Sequence, residues 1–396
     1  MVRKFDILYI ASADYDEKSW VNAQHIAKRL GEKGFRVLYV NSLGLRAPST
    51  NIRDIKKIFK KIKNFLFGMK NLDKNVFVIT PLILPLRKFQ IIEKINNFFL
   101  TIYLRYYMKK LCFNKIILWI FLPTAVNLMG KFNEKMVVYH CVDEYSANPM
   151  VNKSLIKRNE RALLKKAEIV FVTSRQLYQT KKQFARKIFY LPNVADTEYY
   201  QKFYKKKTLR PIEFAQISSP IIGFIGNLTD YKIDIKLLTY TAKKLKNFSF
   251  VFIGKIGGGA PDTDVSSLLK LNNVYYLGEK RKEELPLYVK YFNVGLIPFN
   301  INRTTTCSFP MKFFEYLAMG KPVVSTKIKG LIEFQIRKYD KLVYWGNRGN
   351  FVEMIKKAIQ ENNKVLENQR IILAKQYSWQ KRIDEILKII NKFYFD

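Results

Sequence analysis

FDILYIASADYDEKSWVNAQHIAKRLGEKGFRVLYVNS, residues 5–42, contains two apolar runs of strand length separated by a helical pattern. The runs are FDILYIAS and RVLYVNS, and between them WVNAQHIAKRLGEKG has apolar residues at helical spacing and ends on a glycine. A strand, a helix and a strand at this spacing form a parallel pair joined by a right-handed crossover. The beginning of the chain therefore predicts a doubly wound α/β domain.

The alternation of strands and helices continues and then restarts in the second half. Further strand-like runs of the first half are NVFVITP (75–81), KIILWIF (115–121), KMVVYHCVD (135–143), AEIVFVTS (167–174) and KIFYLPN (187–193). Residues 202–220 are rich in Lys, Arg, Pro and Ser, have no periodicity, and are interpreted as a linker. A second series then opens with IIGFIGN (221–227) and closes with KPVVSTK (321–327).

This organisation predicts two doubly wound, Rossmann-like domains, over 1–203 and 204–375. We expect them to face each other across a ligand cleft at the carboxyl ends of their strands. The remaining residues, 376–396, form a predicted C-terminal helix that packs back on the first domain.

Cysteine count and hydropathy exclude several classes of protein. Cys112, Cys141 and Cys307 share no metal-ligand or redox spacing, and an odd number does not indicate a disulfide framework. No run reaches the roughly 18 apolar residues of a spanning helix, and the first residues lack the pattern of a signal peptide. Without a His/Cys cluster we expect no metal site. These features predict a cytoplasmic protein.

The net charge is strongly positive, with 70 Lys and Arg against 32 Asp and Glu, or +38. Such an excess concentrates polyanions such as anionic lipid, phosphorylated substrates or nucleic acid near the protein. Because lysines are spread along the whole chain, a general compositional bias explains the charge equally well. We expect no nucleic-acid partner.

Residues 309–326, FPMKFFEYLAMGKPVVST, combine a short helix with the side chains that suit a nucleotide. In the helix predicted over 311–319, Lys312 and Glu315 are three residues apart and share one face. A cation near a helix start suits phosphate, and a carboxylate can accept both hydroxyls of a ribose. The same spacing also fits an exposed ion pair, so the residues alone leave both interpretations open.

PMKFFEYLAMGKPVV (310–324) resembles the P-x-K-x-x-E-Y-x-A-x-G-x-P-V-V block of bacterial group 1, or family 4, glycosyltransferases of the GT-B fold. SWQKRIDEILKII resembles the closing helix of that family. Other segments resemble the family in the same order: VVYHCVDEYS, AEIVFVTSRQLY, YLPNVADTEYY, IIGFIGNLTDYKIDIKLL, NVYYLGEKRKEELPLYV and NVGLIPFNINRTTT. The resemblance spans residues 5–390 and is strongest to the branch serving exopolysaccharide and teichuronic-acid-type polymers.

The resemblance implies donor-binding roles for the matching positions. Glu315 is expected to hold the ribose and Lys312 to lie near the phosphates. Gly226 should let the backbone approach the diphosphate, and Lys232 should neutralise phosphate. A Thr-rich loop, 304–306, is a candidate contact to donor sugar or phosphate, or simply a loop. The donor-side candidates are Gly226, Asn227, Lys232, Thr305, Pro310, Lys312 and Glu315.

Three positions depart from the family pattern. Cys307 stands where many relatives have a glutamate, eight residues before the ribose glutamate. Asn227 stands where many have an arginine, which leaves the phosphate charge to Lys232 and Lys312. Residues 11–14, ASAD, replace the usual glycine pair after the first strand.

On the acceptor side the candidate catalytic residues are His140 and Asp143, at the end of the strand MVVYH. His140 could contact the donor sugar or position the acceptor hydroxyl, and Asp143 could take up its proton. The alternative interpretation is a strand-end cap formed by Asp143 and Glu144.

The resemblance implies a hexosyltransferase-like enzyme that moves a sugar from a nucleotide-sugar to a free or lipid-linked glycan during cell-surface polysaccharide synthesis. The resemblance implies retention of configuration, a UDP-linked donor, and no metal or other cofactor. The alternative hypothesis is a non-catalytic polyanion-binding protein on the same scaffold.

A basic amphipathic helix is predicted over 53–70, RDIKKIFKKIKNFLFGMK. Its apolar positions form one stripe, while most of its lysines lie elsewhere around the helix. This pattern is typical of a helix on an anionic bilayer, and it predicts peripheral attachment to the inner face of the cell membrane. An ordinary core-packed helix with a basic solvent side is the competing interpretation.

Overall fold

The computed structural model describes residues 5–45, 52–84, 90–258, 260, 262–334 and 342–394. The chain divides into two compact units, each with its own largely parallel sheet. The first unit comprises residues 1–173, 177–191 and 383–396, and the second comprises residues 174–176 and 192–382.

Strands and helices alternate through both units as the sequence predicts. The strands are β1 (Asp6–Ile10), β2 (Val37–Val40), β3 (Lys70–Asp73), β4 (Val76–Ile79), β5 (Ile116–Ile120), β6 (Met136–Cys141), β7 (Ile169–Val172), β8 (Ile188–Tyr190), β9 (Ile221–Ile225), β10 (Ser249–Ile253), β11 (Val274–Tyr276), β12 (Val294–Ile297), β13 (Val323–Thr326) and β14 (Val343–Gly346). The helices are α1 (Asn22–Glu32), α2 (Ile52–Leu66), α3 (Gln90–Lys110), α4 (Lys153–Lys166), α5 (Arg175–Lys181), α6 (Thr197–Lys205), α7 (Ile235–Lys244), α8 (Ser266–Leu269), α9 (Leu285–Val289), α10 (Arg303–Thr306), α11 (Lys312–Ala318), α12 (Lys329–Ile332), α13 (Phe351–Gln360), α14 (Lys364–Gln376) and α15 (Trp379–Tyr394).

The sheet of the first unit has the order β3-β4-β2-β1-β5-β6-β7-β8. Its strand pairs are parallel except for β3 and β4, which form an antiparallel edge that the sequence did not predict. The central strands β1, β2, β5, β6 and β7 are buried along their whole length, because helices cover both faces. The chain changes direction between β1 and β5.

The sheet of the second unit is parallel throughout, with the order β11-β10-β9-β12-β13-β14. The chain runs outward from β9 through β10 to β11, then returns to the other side of β9 at β12. Ligands of such sheets bind beyond the carboxyl ends of the strands at this switch point. The predicted α/β architecture of two doubly wound sheets is confirmed, whereas the cleft between them stays a prediction.

The boundary between the units lies twelve residues before the predicted 203/204 position, at 191/192. The linker interpretation of 202–220 is wrong, because Phe214 and Ile217 are buried in the core of the second unit. Glu213 also accepts hydrogen bonds from the Lys280 ammonium, at 2.5 Å, and from the Tyr288 hydroxyl, at 2.8 Å. Because this segment is rich in lysine and has no periodicity, the sequence did not indicate that its apolar residues are buried.

The C-terminal helix α15 is shared between the two units, since residues 383–396 group with the first. Near its end the Tyr394 hydroxyl donates to the carbonyl of Lys115, and the Tyr394 ring packs on Phe5. None of the helices in the described residues is both long enough and apolar enough to cross a bilayer.

Candidate active site

Gly226 directly follows β9, at the switch point of the second sheet. Its φ of +124° lies in a region that favours glycine, and its N–H donates to the carbonyl of Ile253 on the neighbouring strand. A Cβ built on Gly226 would lie 2.7 Å from the Nζ atom of Lys312. The missing side chain therefore leaves the Lys312 ammonium in contact with the end of β9.

Lys312 opens helix α11 and points its ammonium at aromatic rings. Its Nζ atom lies 4.0 Å from the centre of the Phe224 ring and 5.3 Å from that of Phe299. The quadrupoles of these rings stabilise a cation without neutralising it. Among the described residues, no carboxylate forms an ion pair with Lys312. The protonated form of Lys312 is thus not paired with a carboxylate of the described residues and can interact with an anion.

Glu315 lies one turn along the same helix, in its first turn. In the described structure Lys312 and Glu315 do not form the exposed ion pair that their spacing allows. Each charge nevertheless influences the pKa of the other side chain. Burial raises the pKa of Glu315 to about 7, against the lowering effect of Lys312 and with a further increase from Asp196. Both side chains are half-buried, so part of each remains accessible to solvent.

Burial likewise lowers the pKa of Lys312 to about 7; Glu315 opposes this shift and the Lys232 charge adds to it. A diphosphate requires the protonated ammonium, which is lost as the pH rises above this pKa. A ribose requires the ionised Glu315 carboxylate, which is lost as the pH falls below its own pKa. We therefore expect nucleotide affinity to be greatest near neutral pH and to fall on both sides.

Calorimetric titration of UDP at about pH 5.5, 7 and 8.5 measures this dependence. Glu315→Gln is the control, because an amide does not titrate in this range. The variant should bind more weakly at neutral pH but lose the additional weakening of the wild type in acid. An affinity that rises steadily with pH would contradict the role of the Lys312 charge.

Tyr316, beside Glu315, anchors α11 to the sheet and was not singled out from the sequence. Its hydroxyl accepts a hydrogen bond of 3.0 Å from the N–H of Ile225, the last residue of β9. Its ring packs so tightly on Gly295 of β12 that a Cβ there would lie 2.5 Å from it. This contact fixes the helix that carries Lys312 and Glu315 against the strand that ends at Gly226.

Three other donor-side candidates lie close in sequence to Gly226 or to helix α11. Lys232 lies in the connection between β9 and α7, near enough to Lys312 for its charge to lower the pKa of that lysine. Asn227 is exposed next to Gly226. Pro310 is buried, and its carbonyl accepts from the N–H of Phe313 at the start of α11.

Thr305 is fully buried and belongs to the local structure of its loop. Its hydroxyl donates to the carbonyl of Asn300, and its N–H donates to the side chain of Asn302, which caps α10. We therefore assign Thr305 to the stability of the loop before α11. Cys307, at the position of the family glutamate, is also buried.

The acceptor-side candidates lie in the first unit, at the carboxyl end of β6. The His140 imidazole is buried and stacks on Phe121, with ring centres 4.9 Å apart and planes inclined by 13°. Phe171 and Trp119 pack around the same ring. Asp143 lies two residues beyond the strand and is partly exposed, so it is better placed than His140 to meet a substrate.

A buried polar network holds the segment that carries Asp143. Lys181 donates to Glu160 at 2.7 Å and to Glu144 at 3.3 Å, and Ser146 donates to Glu144 at 2.6 Å. Burial alone would lower the pKa of Lys181, but Cys141 and the two glutamates raise it above its usual value. The capping interpretation thus applies to Glu144.

Residues 219–361 match the sequence profile of the family described as "Glycosyl transferases group 1". The matched region contains Gly226, Lys312 and Glu315. The chain is also 26% identical over 288 residues to the proposed teichuronic acid biosynthesis glycosyltransferase TuaH of Bacillus subtilis (strain 168). That alignment covers 68% of this chain and 70% of TuaH. The chain is a glycosyltransferase, and its second unit carries the group 1 profile.

Solved structures show that this glycosyltransferase has the GT-B fold. Sucrose-phosphate synthase from Thermosynechococcus elongatus superposes with a TM-score of 0.71 at 13% identity, covering 99% of both chains. HepE (Alr3699) of Anabaena in complex with UDP-glucose superposes with a TM-score of 0.67 at 13% identity, covering 98% of this chain and 100% of its own. These matches support the hypothesis of a glycosyltransferase enzyme and not the alternative of a non-catalytic polyanion-binding protein.

Proposed function

We propose that this glycosyltransferase transfers a hexose-type sugar, with retention, from a UDP-linked donor to a lipid-linked glycan in polysaccharide synthesis. The UDP-glucose complex of HepE supports the donor, and the relative named for teichuronic acid biosynthesis supports the polymer. The observation that carries the proposal is the cation of Lys312, held against Gly226 without a carboxylate partner in the described residues and one turn from Glu315.

In this proposal the second unit binds the donor and stabilises the leaving group. Glu315 accepts hydrogen bonds from the ribose hydroxyls, and the diphosphate approaches the exposed backbone at Gly226. The charge that develops on the diphosphate is offset by Lys312 and by the nearby Lys232. Asp143 of the first unit is the proposed acceptor of the proton released by the attacking hydroxyl.

Donor hydrolysis by the isolated full-length chain tests this function. The enzyme is incubated with UDP-glucose and with other UDP- and GDP-linked sugars, and release of the nucleoside diphosphate is measured. We expect slow release from a UDP-sugar in water and faster release once a glycan acceptor is supplied. Binding of UDP without turnover of any donor, with or without acceptor, would contradict the proposal.

We further expect the donor to bind without a divalent metal. The sequence contains two Asp-x-Asp triplets, at 14–16 and 262–264. In the first, Asp14 and Asp16 form ion pairs with Lys61 and Lys60. In the described residues no three potential ligand side chains come together to hold a metal. The proposal rests on Lys312, whose ammonium would offset the charge of the diphosphate in place of a metal ion.

Calorimetry with UDP, in EDTA and in excess Mg²⁺, measures this independence. The expected result is a dissociation constant that is the same in both conditions. The Lys312→Met variant should lose affinity in EDTA, because methionine keeps the packing and removes the charge. A wild type that binds only with Mg²⁺ present would refute metal-free binding.

The acceptor side extends the proposal to the membrane surface. A lipid-linked glycan presents its phosphates at the bilayer face, where the basic helix α2 would be attracted to anionic lipid. The core-packed interpretation of this helix is not supported, because its apolar stripe is exposed.

A further inference from the structure

Helix α2 exposes apolar side chains to solvent although it is part of a folded unit. Phe59 and Leu66 are 68% and 77% exposed. The remaining exposed apolar residues of this stripe are Ile55, Ile58, Ile62 and, just beyond the helix, Phe67. Two of its lysines have partners in the protein, since Lys60 pairs with Asp16 and Lys61 donates to the carbonyl of Ser42.

Helix α3 has apolar residues on two opposite faces, and only one of them is covered. Leu100, Leu104, Tyr107 and Met108 are buried against the first unit. The other face is exposed and follows the helical repeat, with Phe98 and Phe99 at its centre, 62% and 63% exposed. Its further members are Ile91, Ile95, Ile102 and Tyr106. A soluble surface rarely carries so many large apolar groups together unless they contact a partner.

The exposed groups of α2 and α3 belong to one region of the first unit. Phe65 of α2 stacks on Tyr103 of α3, with ring centres 5.3 Å apart. The loop after β4 belongs to the same region, because it is attached to α3. The main chain of Leu84 exchanges two hydrogen bonds of 2.9 Å with the Asn96 side chain. Leu82 and Leu84 of this loop are themselves exposed. We call α2, α3 and Leu82–Leu84 the apolar face.

The exposed charges on the two helices of the apolar face are mostly positive, which favours an anionic partner. Exposed lysines on α2 are Lys56, Lys57 and Lys63, and those on α3 are Lys94, Lys109 and Lys110. Of the acidic residues on the two helices, Asp54 is buried, and the half-buried Glu93 accepts a hydrogen bond from the Asn127 side chain. Apolar side chains flanked by lysines match the interface of an anionic bilayer.

We propose that α3 and Leu82–Leu84 insert into the acyl boundary of an anionic bilayer beside α2, so that the first unit docks through two helices. The lysines attract the surface, and the phenylalanines of α3 hold the protein there. This inference rests on the proposed function, because a lipid-linked acceptor requires the enzyme to work at a membrane. It adds that the membrane contact is made mainly by α3.

Flotation of the full-length chain with vesicles tests the proposal. Vesicles of phosphatidylcholine alone are compared with vesicles that also contain phosphatidylglycerol, at low and physiological salt. We expect the wild type to float with the anionic vesicles. Phe98→Ser with Phe99→Ser should require at least about tenfold more lipid, since each ring loses its burial in the bilayer. Lys56→Glu with Lys57→Glu should weaken binding most at physiological salt.

Matched controls carry the same changes on the second unit. Val365→Ser with Ile372→Ser removes two exposed apolar residues of α14, and Lys243→Glu with Lys246→Glu reverses two exposed charges. Both should float as the wild type does. In addition, a Phe98→Trp reporter should shift its emission to the blue with anionic vesicles and be quenched by brominated acyl chains.

Several outcomes would overturn the inference. One is a wild type that stays unbound at low salt; another is a Phe98→Trp emission that vesicles leave unchanged. A third is a stable dimer, seen by light scattering, that Phe98→Ser with Phe99→Ser dissolves while no vesicle is bound, because the face would then contact a second copy. UDP affinity is measured in parallel. A chain that floats with vesicles but does not bind UDP would refute the proposed function alone. A chain that binds UDP but does not float would refute only the membrane inference.

Discussion

Replacing Glu315 with alanine is expected to weaken UDP binding at least tenfold while leaving the protein folded. The carboxylate lies in the first turn of α11 and, in the described structure, forms no ion pair within the protein. A charged acceptor that binds ribose hydroxyls contributes roughly 1.5–3 kcal/mol, or about ten- to a hundredfold in affinity. Because burial raises the pKa of Glu315 to about 7, its removal also relieves an unfavourable buried charge and should not destabilise the unit.

Calorimetry with UDP and uracil separates the contributions of the nucleotide. Uracil has no ribose, so its weak binding should be the same in the wild type and in Glu315→Ala. The matched control is Glu353→Ala, which removes an exposed glutamate from the first turn of α13. Equal UDP affinities for Glu315→Ala and the wild type, with unchanged thermal unfolding, would show that Glu315 is only a helix-surface residue.

Much of the fold follows from short-range patterns in the sequence. A parallel strand buried on both faces is a continuous apolar run, and runs such as KIILWIF and IIGFIGN became β5 and β9 with shifts of a residue or two. The strand β3 was missed because its residues, KNLD, are mostly exposed at a sheet edge and carry no alternation. Residues 202–220 were interpreted as a linker because their buried apolar residues, Phe214 and Ile217, show no periodicity in the sequence.

The candidate site depends on contacts that no local pattern contains. Lys312 and Glu315 could be chosen because they occupy one motif, but the position of their helix depends on Tyr316 and on Ile225, 91 residues away. The exposed face of α3 was likewise hidden, since a sequence shows that a helix is apolar all round but not which face its neighbours leave uncovered.

Replacing Gly226 with alanine is expected to weaken UDP binding more than it destabilises the protein. The backbone conformation at φ +124° costs a residue with a side chain about 1–3 kcal/mol. The new Cβ would also lie 2.7 Å from Nζ of Lys312, the movable end of a flexible side chain. The ammonium should therefore shift away from the end of β9 rather than break the sheet, and the phosphate should lose a charged contact of roughly 1.5–3 kcal/mol.

The control for backbone strain is Gly278→Ala in the same unit. Gly278 also has a positive φ, +66°, but a Cβ there would meet no atom within 4 Å. Both variants should lower the midpoint of thermal unfolding, whereas only Gly226→Ala should raise the dissociation constant of UDP, by about ten- to a hundredfold. In the Lys312→Met background Gly226→Ala should cause a smaller additional loss, because the ammonium that it displaces is already absent and only the obstruction of the diphosphate by the new Cβ remains. Additive losses in the double variant would show instead that Gly226 acts on the nucleotide directly, through the backbone and not through Lys312.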